Sequence, residues 1–106
     1  MNEDTLQVLF KTILERKAHP AENSYTSSLL TKGGDRILKK LGEESTELVI
    51  AGKGGVQGEI VCETADLLYH TLVLLAYHDV TLDDVYAELR RRFGTSGIEE
   101  KASRVK

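Results

Sequence analysis

Apolar side chains recur every three or four residues along most of this chain and seldom alternate, which is the period of helices and not of strands. The first such run, from about Asp4 to Lys17, aligns Leu6, Leu9, Phe10 and Ile13 on one stripe. It ends ahead of His19-Pro20, because a residue that precedes proline disfavours helix. Positions 21–32 are rich in Ser, Thr and Asn, with Tyr25, Leu29 and Leu30 as anchors, and run into Gly33-Gly34, so they read as a loop holding at most one helical turn. A second helix, about Asp35 to Lys53, stops at Gly54-Gly55. A third spans about Gln57 to His78, and a fourth, about Leu82 to Phe93, opens on Thr81 as N-cap with Asp84 completing a capping box and Leu82, Val85, Tyr86 and Leu89 facing inward. Arg90-Arg91-Arg92 close it, suiting either a helix C-terminus or a contact with a partner subunit. The expectation is an all-α bundle of four main helices, one domain over residues 1–93, and a flexible polar tail over residues 94–106.

Two of these helices break their own pattern. In the second, an advance of about 100° per residue puts Ile37, Leu41, Glu44 and Leu48 on one narrow stripe, so Glu44 stands where a core leucine belongs. In the third, Glu59, Glu63, Asp66, His70 and Tyr77 share one stripe, while Val61, Leu68, Leu72 and Leu75 line the opposite face. Glu44-x-x-Glu47 and Glu63-x-x-Asp66 are therefore two acidic couplets on adjacent helices joined by a short glycine turn. Residues three apart lie on neighbouring turns of one face, so an antiparallel pair brings all four carboxylates together. Unneutralised, they repel and lose hydration; an all-oxygen donor set suits Mg²⁺, with Mn²⁺ as its substitute, rather than Zn²⁺. Neither Glu44 nor Glu63 is followed by histidine at the spacing of a di-iron bundle. Glu43 is a candidate outer ligand or water-orienting base and equally a surface acid; Glu59, one turn before Glu63, is read as solvated or as an acid behind the ligands. His70, four residues beyond Asp66, is placed to donate to that carboxylate, or else is a satisfied core histidine. His19 and His78 fall near helix ends, at the surface.

Composition narrows the partners. The chain has 106 residues, a net charge of −3 and a pI near 5.6, so it lacks the basic field that duplex nucleic acid requires. Anion recognition must be local. Lys32, Arg36, Lys39 and Lys40 lie just upstream of Glu44, as a polyphosphate substrate beside a cation requires, and Lys40, one turn before Glu44, is the leading candidate. The apolar segment Leu67–Tyr77 is interrupted by His70 and falls well short of the roughly 20 residues that span a bilayer. No basic region followed by an apolar stretch opens the chain, and the lone Cys62, read as a small packed residue, fits a reducing cytoplasm.

Glu43-Glu44-Ser45-Thr46-Glu47 and Glu63-Thr64-Ala65-Asp66 closely resemble the acidic motifs of phosphoribosyl-ATP pyrophosphohydrolases, all-α nucleoside triphosphate pyrophosphatases of the MazG-like superfamily. The resemblance runs from about residue 6 to residue 92. It takes in Ser24-Tyr25-Thr26, Lys32-Gly33, Lys39-Lys40-Leu41-Gly42, Leu67-Leu68-Tyr69-His70 and the segment from Leu82 to Leu89. Ser45 departs from the alanine more usual there. The resemblance implies hydrolysis of phosphoribosyl-ATP to phosphoribosyl-AMP and pyrophosphate in the cytoplasm, the second step of histidine biosynthesis. Its implied site has Glu44, Glu47, Glu63 and Asp66 as Mg²⁺ ligands, Glu43, Glu44 and Glu47 as catalytic acids, Lys32, Arg36 and Lys40 on phosphate, and His70 behind the ligands. It also implies a homodimer or larger homo-oligomer whose subunits complete the bundle, in a stand-alone enzyme without a cyclohydrolase domain. Two alternatives remain: a pyrophosphatase for another nucleoside triphosphate, and a non-catalytic helical dimer that binds a protein partner.

Overall fold

The computed structural model describes residues 3–104; the expectations for Met1, Asn2, Val105 and Lys106 lie outside the described residues. Six helices follow in order: α1 Thr5–Ala18, α2 Tyr25–Lys32, α3 Gly34–Gly54, α4 Gln57–Tyr77, α5 Leu82–Arg91 and α6 Gly97–Ser103. The all-α expectation holds, with boundaries of the long helices within about two residues of those read from the pattern. Gly55 ends α3 in the left-handed conformation at φ +76°, its N–H donating to the Ala51 carbonyl, and the chain turns directly into α4. α3 and α4 thus form a hairpin of two 21-residue helices, each about 30 Å long.

The core is Phe10 and Ile13 of α1, Leu29 of α2, Ile37 of α3, Leu72, Val73 and Ala76 of α4, and Leu82 of α5. It gathers at the open end of the hairpin, where α1 and α2 cover the first turns of α3 and the last turns of α4. Gly34 lets the Tyr77 ring approach closely there, since a Cβ on it would come within 3.2 Å of that ring. Lys17 ties the end of α1 to the end of α4 by donating to the Ala76 carbonyl and to Asp79, both at 2.7 Å. Asp4 caps α1 through a reciprocal pair of bonds with Gln7 and also accepts from the Tyr86 hydroxyl of α5.

Several features differ from expectation; Leu89 of α5, expected to face inward, is half exposed. Positions 25–32 form the helix α2, because Ser24 accepts from the Ser27 N–H as N-cap and Leu29 drops into the core; the Ser/Thr content supplies a cap and a polar face. The tail is helical over α6, because Glu100, 3% exposed, is gripped by Arg91, Arg92 and Arg104. Cys62 is exposed, since α1 and α2 do not reach the first half of α4. For the same reason Val61 and Leu68, expected to be covered, stand in solvent, as do Val49 and Ile50 of α3. α4 is long and apolar enough by composition to cross a membrane. It carries Glu63, Asp66 and a buried His70 at its middle, packs along α3 and α1, and gives Leu72, Val73 and Ala76 of its second half to the core.

Candidate active site

Glu44 and Glu47 project from successive turns of α3 toward α4, where they meet Glu63, and one carboxylate oxygen from each lies within 4.8 Å of the others. Asp66 falls into a second group of the same span with Glu63 and Cys62, so Glu63 is the side chain common to both. Asp66 is still close enough for its charge to act on Glu44. All four sequence-predicted acids thus converge on the α3–α4 seam, and Cys62 stands at its edge.

Glu44 is the anomaly of this site. It is 7% exposed; one oxygen is 3.6 Å from the Lys40 ammonium, and the other, Oε2, is buried with no hydrogen-bond partner. Burial raises the Glu44 carboxyl above its ordinary value. The neighbouring Glu47, which can share its proton, and the charges of Glu47 and Asp66 push the same way, while His70 opposes them. A carboxylate in this position is stable only as an acid or beside a cation. With oxygen donors from three side chains and an orphaned buried oxygen among them, the site fits a hard divalent ion.

Lys40 also approaches Glu43 at 3.3 Å, and that contact is the chief cause that raises its ammonium above the ordinary value. Glu43 and Glu47 are exposed. Among the described residues Lys40 is the one base within ion-pair distance of these acids. Arg36 is exposed on α3, and Lys32 borders a separate hollow with Pro20, Ser27 and Thr31. A hollow of about 310 Å³ opens beside the acids, bounded by Glu47, Ile50, Ala51, Glu59, Cys62 and Glu63.

His70 does not hold the Asp66 carboxylate. Its Nδ1 lies 2.8 Å from the Asp66 backbone carbonyl, which only accepts, so Nδ1 carries the proton. With a neutral ring, Nε2 then accepts from the Tyr25 hydroxyl at 3.1 Å. On a helix the carbonyl of residue i lies under the side chain of residue i+4, and the buried ring takes that nearer acceptor. The Tyr25 contact was missed from sequence because positions 21–32 read as loop; the Ser24 cap one residue earlier was the available signal.

The sequence model of a family described as phosphoribosyl-ATP pyrophosphohydrolase matches residues 6–93. The chain is 66% identical over 104 residues to the phosphoribosyl-ATP pyrophosphatase of Geotalea daltonii, covering 98% of both chains. It is 67% identical over 108 residues to that of Geobacter metallireducens, covering 100% of this chain and 99% of the relative. Similarity extends to the phosphoribosyl-ATP pyrophosphatase of Methylococcus capsulatus, at 54% over 101 residues, with 95% and 96% covered.

Proposed function

The chain belongs to the phosphoribosyl-ATP pyrophosphohydrolase family, and from that premise we propose that it hydrolyses phosphoribosyl-ATP to phosphoribosyl-AMP and pyrophosphate, the second step of histidine biosynthesis. It is a hydrolase of a phosphoric anhydride. The observation that carries the site assignment is the buried, unpartnered Oε2 of Glu44 among Glu47, Glu63 and Asp66. Those four acids would hold Mg²⁺. When bound, that ion would neutralise triphosphate oxygens, lower the pKa of water and stabilise the departing pyrophosphate.

The protein's own part is binding and proton transfer. Lys40 exchanges its contacts with Glu43 and Glu44 for a substrate phosphate, with Arg36 and Lys32 farther out along the basic run. Glu43, outside both carboxylate groups and released when Lys40 turns to phosphate, would accept the proton from the attacking water.

The working form is a homodimer at least. Val49 and Ile50 are 70% and 65% exposed on the bare half of the hairpin, with Val61 and Leu68 on the facing helix. The radius of gyration, 15.7 Å, exceeds the roughly 13 Å of a compact chain of this length. A second hairpin laid against this face would bury those side chains and make the chain compact. The free, exposed Cys62 thiol suits the reducing cytoplasm in which histidine is made.

The test is pyrophosphate release from phosphoribosyl-ATP with and without Mg²⁺, with ATP and dUTP in parallel. Metal-dependent release from phosphoribosyl-ATP alone supports the proposal. Preference for ATP or dUTP would keep the site and discard the pathway, and silence with all three from folded protein would leave a binding module.

A further inference from the structure

The carboxylates and Lys40 account for a triphosphate but not for the nucleoside attached to it. Beside them α2 and α4 build an aromatic group. The Tyr25 and Tyr69 rings stack with centroids 6.2 Å apart and planes 26° apart, and His70 meets both edge-on at 5.9 Å and 5.0 Å. Tyr69 is fixed by a hydrogen bond to Thr26, and His70, 5% exposed, is fixed by the Asp66 carbonyl. Tyr25 differs from both: its hydroxyl is anchored on His70, yet 49% of its surface remains in solvent.

That openness is not required by the fold. Leu29 and Ser27 are the buried residues that seat α2, while Tyr25 rests against Tyr69 and His70 and stays half exposed. Its placement is tied to the acidic site: the chain of bonds from Tyr25 through His70 ends on the backbone of Asp66, within the acidic turn. An anchored aromatic ring, half open to solvent and bonded through to a turn that carries phosphate-site acids, is the arrangement that receives a nucleobase.

We propose that Tyr25 receives the purine base of the nucleotide on its open ring, while His70, as a positioning residue, ties that ring to the acidic turn at Asp66. The proposal rests on the nucleotide pyrophosphohydrolase reading above and adds the side chain that selects for a base. With the His70 ring neutral, the Tyr25 hydroxyl donates to Nε2 and offers the ligand an acceptor oxygen, and the ring supplies the contact area.

Calorimetric binding of AMP and of inorganic pyrophosphate, each with Mg²⁺, tests this on wild type, Tyr25→Leu and Tyr25→Phe, beside kcat and KM for phosphoribosyl-ATP. Leucine is expected to weaken AMP by about tenfold and to raise KM by a similar factor, with pyrophosphate affinity within about twofold. Phenylalanine, which keeps the ring, is expected to retain most of the AMP affinity. The proposal is overturned by equal losses of AMP and pyrophosphate, by a phenylalanine variant as weak as leucine, by a leucine variant that binds AMP normally, or by a wild type that binds no AMP. Tyr25-dependent AMP binding in a wild type that does not cleave phosphoribosyl-ATP would sink the activity and leave the base platform standing. Cleavage by a wild type whose leucine variant is indistinguishable would do the reverse.

Discussion

Replacing Glu44 by glutamine separates its two parts, buried charge and cation ligand, because the two respond with opposite sign. In the ion-free protein the Glu44 Oε2 is buried and unpartnered, with Glu47 and Asp66 close by. A buried polar group left unsatisfied costs about 1–3 kcal/mol, and more when charged. Glutamine keeps the shape, removes the charge and can donate its amide protons to Glu47 or Asp66. The ion-free variant is therefore expected to exceed wild type by about 1 kcal/mol, which in a domain of this size is about 4–8 °C in Tm. The gap depends on pH. Burial raises the Glu44 carboxyl above its ordinary 4.5, so between that value and the raised one the folded chain binds more protons than the unfolded chain. Wild type loses stability as pH rises through that window; the variant does not, and the two converge below it.

With Mg²⁺ the order reverses. An ion at a hundred times its Kd stabilises the folded state by about 2.7 kcal/mol, a gain open to wild type and largely closed to the glutamine variant. Calorimetric melts in EDTA and in saturating Mg²⁺, at one protein concentration, should show the variant melting higher in the first and lower in the second. A variant that melts at or below wild type in EDTA, and gains as much from Mg²⁺, would refute both the burial argument and the ligand assignment.

Three more outcomes follow from the same geometry. Glu63→Gln, which removes the acid common to both carboxylate groups, should cut pyrophosphate release by more than about 100-fold while circular dichroism stays helical. Glu100→Ala should melt α6 alone, read from NMR chemical shifts over Gly97–Ser103. Arg104, then Arg91, hold the Glu100 carboxyl below its ordinary 4.5, so in wild type the same segment should loosen as pH falls below 4.5 and through the lowered value, and stay ordered above. Ile50→Glu, which puts a charge on the bare hairpin face, should give a monomer by sedimentation where wild type gives a dimer; an unchanged sedimentation coefficient would mean that copies meet elsewhere.

The acidic site was legible because it depends on a single periodicity. Three-residue spacing puts Glu44 beside Glu47 on α3 whatever the rest of the chain does, and a glutamate on a leucine stripe declares its own cost. The core followed for the same reason, with Phe10, Ile13 and Ile37 buried where the stripes run. What the pattern hid were choices between partners at similar distance. His70 had both the carbonyl and the carboxylate of Asp66 within reach, and only the buried ring's position selects the carbonyl. Glu100 had no visible reason to fold a polar tail until Arg91, Arg92 and Arg104 surrounded it. Cys62, Val61 and Leu68 looked internal because helical periodicity marks a face as apolar without saying which element covers it. For these three, α1 and α2 are too short to do so, and the unfilled half of the hairpin is where a second copy has room. The site and the bare face share one seam: Ile50 and Cys62 border the same hollow as Glu47 and Glu63. Association of two chains would thus also decide how much water reaches the carboxylates, coupling assembly to the affinity of the acids for their cation.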